Sequence, residues 1–254
     1  MSFAAKVVFI TGAGSGMGRL AAQNLAEQGA IIAGLDLNED GLAETRGSSQ
    51  AIHTFPCDVS DTDAVEECVR KTEKDLGPIA RVYSAAGIMP TALLMDQPTR
   101  TILKITEVNY FGVVNVAKAT LPAMFERGRG ELINFASMAG WQPTPYLGAY
   151  NASKFAVVAF SEVLHNENRG RGVKMVCVCP PPVATPLMNT TIRPKAFDYV
   201  NPISAQDVLD EIDKCLKKNK QLCFPSASSR AQWVLRRFMP NTIWASIRRI
   251  EGLS

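Results

Sequence analysis

The sequence predicts an α/β fold, a parallel sheet covered by helices on both faces, and three observations carry that prediction. Short runs rich in apolar and β-branched residues recur along the 254 residues. Amphipathic segments separate them, so strand and helix alternate. The runs are hydrophobic nearly throughout, the pattern of strands buried on both sides. In order they are KVVFIT (6–11), IIAGLD (31–36), AIHTFPCDV (51–59), RVYSAAG (81–87), GELINFAS (130–137), VKMVCVCP (173–180) and QLCFP (221–225). Helical patterns lie near 17–28, 61–76, 98–126, 150–168 and 204–219.

The first run passes directly into TGAGSGMG, Thr11 to Gly18, and then into a helical pattern. Glycines permit a tight turn and close backbone approach, while a new helix offers free N–H groups and a positive dipole end to a pyrophosphate. Gly12, Ser15, Gly16, Met17 and Gly18 are therefore candidate cofactor contacts. The second run ends in Asp36, eighteen residues after Gly18, where a dinucleotide-binding fold places an acid on the ribose hydroxyls. The plainer alternative is a turn or capping aspartate before Asn38. An acid there repels a 2′-phosphate, and neither Ser15 nor Leu37 supplies a neutralising cation, so NAD is expected over NADP. At the third run's end, Asp58 and Val59 offer a carboxylate and amides for an adenine edge. Asp58 reads equally as a cap for the helix beginning near Asp61.

Farther along, Ala86-Gly87 follows the fourth run, Ser137 ends the fifth, and GAYNASKFAVVAF places Tyr150 and Lys154 four residues apart on one helix face. Each has a bland reading: a solvated helix face for the pair, a strand end for Ser137. Asn109, in EVNYFGVVNV, is a poor helix former inside an apolar helix and marks a buried polar network, which a purely structural role also explains. The irregular stretch at 180–202 follows a strand's carboxyl end, where open α/β sheets bind ligands.

Composition narrows the class. With 27 basic and 24 acidic residues, the net charge of +3 is too mild for a nucleic-acid footprint. Six cysteines without a C-x-x-C pair and only two histidines leave no metal-site pattern, and read as buried thiols in a reducing compartment. The start MSFAAKVVFITG is too short in apolar length for a signal peptide and no window suits a membrane span, so the cytoplasm is the default location.

In order and spacing, Thr11-Gly-x-x-x-Gly-x-Gly18, Asp58-Val59, Ala86-Gly87, Asn109, Ser137 and Tyr150-x-x-x-Lys154 resemble the classical short-chain dehydrogenase/reductase family over nearly all of residues 5–225. The resemblance implies one Rossmann-like domain, a doubly wound seven-stranded parallel sheet with helices on both faces, and hydride transfer between a nicotinamide and a carbonyl or alcohol. It implies that Tyr150 is the general acid/base, that Lys154 holds the nicotinamide ribose and depresses the tyrosine's pKa, that Ser137 bonds the substrate oxygen, and that Asn109 anchors a relay water. A homodimer or homotetramer is expected. Two departures stand out. Ser84-Ala85-Ala86-Gly87 replaces the family's Asn-Asn-Ala-Gly, losing asparagine side-chain bonds, and Pro181 replaces a glycine after the sixth strand, removing an N–H. Pro180, Val183 and Thr185 still match positions beside the carboxamide.

The loops IMPTALLM (88–95), MAGWQPTPYLGA (138–149) and PLMNTTIRPKAF (186–197) supply the expected pocket lining, Met89, Leu93, Trp141, Tyr146, Leu187 and Met188. Such side chains suggest a roomy pocket for a bulky apolar ketone or secondary alcohol, or else pack on one another or on a neighbouring subunit. Alternatives are a 3-oxoacyl-thioester reductase, favoured if Arg193 or Lys195 lies at the pocket mouth, and a non-catalytic dinucleotide-binding scaffold or redox sensor. Residues 1–229 form the catalytic unit. Residues 230–254 are a basic amphipathic extension of it, broken at Pro240, suited to packing on the domain edge or a partner, closing over the pocket, or touching an anionic membrane.

Overall fold

Side chains alternate across a strand, and along β1 (Val7–Thr11) this alternation divides the core in two. In the computed structural model, which describes residues 6–253, Val8 and Ile10 face α1 (Gly16–Glu27) and α7 (Ala205–Lys217), while Val7 and Phe9 face α3 (Thr62–Asp75) and α5 (Gly112–Glu126). Residues 1–5, which open the apolar start, and Ser254 lie outside the described residues.

The other strands are β2 (Ile31–Asp36), β3 (Ile52–Pro56), β4 (Ile79–Ser84), β5 (Gly130–Phe135), β6 (Val173–Val178) and β7 (Leu222–Cys223). They form one parallel sheet in the order β3-β2-β1-β4-β5-β6-β7. The chain leaves β1 toward β2 and β3, then returns to add β4 on its other side. That reversal opens a crevice at the carboxyl ends of β1 and β4.

Three local features differ from expectation. Helix α2 (Glu39–Arg46), preceded by Asn38 accepting the Gly41 N–H at 3.0 Å, is too short and polar to show a clear apolar period. The pattern at 98–126 is not one uniform helix: α4 (Thr99–Thr106) and α5 are joined by a π-helical turn, Glu107–Phe111, which contains Asn109. The third strand stops at Pro56, and the following helix is capped by Asp61, whose carboxylate accepts the Ala64 N–H, not by Asp58.

The extension is two helices, α8 (Ala227–Phe238) and α9 (Pro240–Glu251), with Pro240 opening the second, where its missing N–H costs nothing. Trp233 of α8 packs edge-on against Trp141 at 5.8 Å and tilted on Phe224 at 5.3 Å, joining the extension to the core.

Candidate active site

The turn after β1 is built from glycines because its backbone packs directly on other backbone of the protein. Gly12 has φ +71°, and a Cβ there would lie 2.8 Å from the Ala86 nitrogen; a Cβ on Gly18 would lie 2.1 Å from the Gly12 carbonyl oxygen. Ser15 precedes α1 but gives it no side-chain cap, and the helix's first turn holds no acid. Its first N–H groups are left as donors at a groove of about 440 Å³. Gly12, Ser15, Gly16, Met17, Gly18, Asp36, Asp58, Val59, Ala86, Gly87 and Thr185 all line this groove. The donor set fits a dinucleotide pyrophosphate.

Asp36 serves the turn as well as the groove. Its Oδ2 accepts the Gly14 N–H and its Oδ1 the Asn38 N–H, each at 2.9 Å, which fixes a carboxylate on the wall. Asp58 is held by Ser60 and by Lys104, 3.2 Å away, and these partners lower its pKa against the opposing effect of burial. Lys104 is a groove cation that sequence reasoning missed, because it comes from a helix 46 residues downstream. Thr11 Oγ1 accepts the N–H groups of Ala85 (3.1 Å) and Ala86 (3.2 Å), tying this loop to the end of β1.

An apolar cavity of about 150 Å³ adjoins the groove and shares Met17, Gly87, Thr185 and Leu187 with it. Tyr150, Ser137 and Lys154 line it with Pro180, Val183, Met89 and Met188. The triple proline is anchored through its carbonyls: Pro180 O accepts the Met138 N–H (2.9 Å) and Pro182 O the Ile203 N–H (3.1 Å). Three expected lining residues lie elsewhere. Trp141 is turned inward, its indole N–H on Cys179 Sγ at 3.2 Å. Leu93 and Tyr146 line a separate apolar groove with Trp244, Tyr146 being rotated away by a left-handed backbone, φ +65°. Gln142, Thr144 and Leu147 take the expected places on the wall. The cavity also falls short of the roomy pocket expected, below the 300 Å³ or so of ordinary ligand sites.

The side wall at 186–200 is secured by the extension. Buried Glu251 of α9 accepts the N–H groups of Lys195 (3.1 Å) and Ala196 (2.8 Å), the start of a short 3-10 turn that sets Phe197 against the cavity, and Gln232 of α8 completes the lining. No local sequence pattern signals Gln232 or Glu251. Their role follows from packing across more than 30 residues of chain.

Tyr150 and Lys154 are both buried on α6 (Gly148–Glu167). Lys154 Nζ lies 5.6 Å from the centre of the Tyr150 ring and donates to Phe135 O at 2.7 Å. Burial pushes the phenol up to about 12, against a lowering hydrogen bond from Ser137, and pushes the lysine down to about 8. The expected depression of the tyrosine by the lysine is therefore not what the protein's own groups produce: the ammonium points to Phe135, and desolvation dominates. Ser137 Oγ is fixed by accepting the Ala139 N–H at 3.0 Å. Asn109, fully buried, lies behind Gly87 and outside the cavity lining. Its Oδ1 accepts the Ile88 N–H (2.8 Å), and its Nδ2 donates to Ile88 O and to Ser153 Oγ, each at 3.0 Å. Both side-chain donors are used within the protein, leaving one Oδ1 lone pair for a relay water. A Cβ at Gly87 would sit 3.2 Å from Asn109 Oδ1 and 3.7 Å from Lys154 Nζ, so the β4 loop is wedged between them.

The comparisons with known proteins agree with this geometry. Residues 6–196 match the short chain dehydrogenase family. The chain belongs to that family. Rat 17-beta-hydroxysteroid dehydrogenase 13 is 31% identical over 99% of this chain and 85% of its own length. A short chain dehydrogenase/reductase from Burkholderia phymatum, solved with NAD, superposes with a TM-score of 0.83 at 26% identity, covering 93% of this chain and 94% of the other. One from Burkholderia cenocepacia, solved with NADP, has the same fold at 20% identity and a TM-score of 0.83, covering 97% and 99%. As a short-chain dehydrogenase, the protein is a nicotinamide-dependent oxidoreductase acting on an alcohol/ketone pair.

Lys154 gives this dehydrogenase a defined pH signature. The unfolded chain keeps the lysine protonated to its ordinary 10.5, the folded chain only to about 8. Between those values the unfolded state binds more protons, so this group makes stability rise with pH. Relative to Lys154→Met, wild type should gain up to about 3 kcal/mol from pH 8 to 10.5 in denaturant titrations. A difference that stays constant over that window contradicts a buried, desolvated lysine.

Proposed function

We propose that the enzyme uses NAD in preference to NADP and interconverts an apolar secondary alcohol and its ketone, with Tyr150 carrying the proton. The observation that carries this reading is the meeting of Tyr150 and Ser137 on an apolar cavity that adjoins a groove ending in the Asp36 carboxylate. The bound nicotinamide supplies or accepts the hydride at the carbonyl carbon. As negative charge develops on the oxygen, Ser137 Oγ donates a hydrogen bond to it and the Tyr150 hydroxyl delivers the proton. A phenol held near 12 is protonated at neutral pH and so able to donate in the reduction direction. Lys154 would hold the nicotinamide ribose. Asn109 braces the wall behind Lys154 and offers its remaining Oδ1 lone pair to the relay water.

The cavity admits one ring-sized apolar group, and the rest of a larger substrate would pass the 186–200 wall. A steroid-sized molecule, suggested by the hydroxysteroid dehydrogenase relatives, would bind with that wall displaced. The acyl-thioester alternative finds less support, because Arg193 is paired with Asp198 at 3.2 Å and neither it nor Lys195 lines the cavity. The scaffold alternative does not explain why Ser137, Tyr150 and Lys154 converge on one cavity. Exposed Leu103, Phe111, Phe155 and Val163 on neighbouring helices support self-association, and six free cysteines suit a reducing cytoplasm.

Steady-state kinetics with both cofactors test the preference. KM for NADPH is expected at least tenfold above that for NADH, since a 2′-phosphate would meet Asp36. An equal or lower KM for NADPH overturns it.

A further inference from the structure

Charge along the chain is unevenly divided. From Lys214 to Ile250 there are four lysines, five arginines and no acid, so the rest of the chain, within a total of +3, carries −6. Helix α8 uses one side for packing, through Trp233 and Gln232, and turns the other to solvent. The outward side carries Arg230, Val234, Arg237 and Phe238 at helical spacing, with Leu235 beside them and Met239 at the elbow to α9. Phe238 is 80% exposed, Leu235 49%, Met239 45% and Val234 43%. None of the segment's five arginines pairs with a carboxylate among the described residues, while Arg237 lies over the Trp233 ring at 5.3 Å.

We propose that the outward face of α8 and its elbow with α9 dock on an anionic lipid surface. The face itself selects this occupant: Arg230 and Arg237 attract anionic headgroups, and the exposed apolar side chains beside them insert between those headgroups. A nucleic-acid duplex satisfies the arginines but has no use for an exposed phenylalanine, leucine and methionine in one patch. Gln232 on the inner side of the same helix lines the cavity and Glu251 on the next holds the 186–200 wall, so the thickness of α8 separates the docked face from the substrate site.

Co-sedimentation of the full chain with phosphatidylcholine vesicles, with and without phosphatidylserine, tests this. Binding is expected on the anionic vesicles at low salt, weakening as salt rises. Phe238→Ser and Arg237→Gln should each lower the bound fraction several-fold while circular dichroism and turnover of a soluble substrate stay as in wild type. No binding to anionic vesicles at low salt overturns the proposal, as does equal binding to phosphatidylcholine alone. Binding lost in Arg237→Gln but untouched in Phe238→Ser also overturns it, indicating a polyanion. So does a dimer that Phe238→Ser dissociates, which makes this face a contact between copies.

Discussion

Tyr150→Phe is expected to lower kcat at least a hundredfold while leaving the Kd for NAD within about threefold of wild type, the loss typical of removing one positioned proton donor. The substitution deletes a single hydroxyl from a buried ring whose neighbours are Ser137, Met89 and Leu147, so packing survives. Without that hydroxyl, the oxygen that gains negative charge during hydride transfer has Ser137 as its remaining donor, and Ser137 stabilises charge without completing the proton transfer. Fluorescence titration with cofactor and steady-state turnover check the two halves. Activity above about a tenth of wild type removes Tyr150 from the acid/base role; a large loss of cofactor affinity places its effect on binding.

Asn109→Ala is expected to damage fold and turnover together. Ile88 would lose partners for both its N–H and its C=O, and Ser153 would lose a donor. Each buried group left unpaired costs about 1–3 kcal/mol, so a fall in Tm on the order of 5–10 °C is expected. The same change frees Gly87, which is wedged against Lys154, so kcat should fall at temperatures where the variant is still folded. Thermal denaturation and kcat measured well below Tm read the two effects. A variant with unchanged Tm and kcat shows that the brace carries neither.

What the sequence disclosed and what it withheld divide along physical lines. The strands were legible because double burial writes a local signature, and the turn from Thr11 to Gly18 because close backbone approach admits only glycine there. Tyr150, Lys154, Ser137 and Asn109 were legible as residue types in order. Their electrostatics were not: the directions of the Tyr150 and Lys154 shifts depend on burial and on where Nζ points, which four-residue spacing does not determine. Between β5 and α6 the lining failed by one or two positions, with Gln142 replacing Trp141 and Thr144 replacing Tyr146, because a 3-10 turn at Met138–Gly140 and a left-handed residue at Tyr146 reset which side chains face inward. The π-turn around Asn109 hid inside a continuous helical pattern, and the hold of Glu251 on the wall spans 55 residues.

The central claim is that Tyr150 hands a proton to the oxygen of an apolar ketone as hydride leaves the nicotinamide. The most direct measurement follows nicotinamide absorbance when NADH is mixed with graded cyclic, aryl and steroidal ketones, for wild type and Tyr150→Phe in parallel. Loss of absorbance with at least one apolar ketone in wild type, abolished in the variant although it still binds NADH, is the predicted result. Equal turnover by both proteins contradicts the claim.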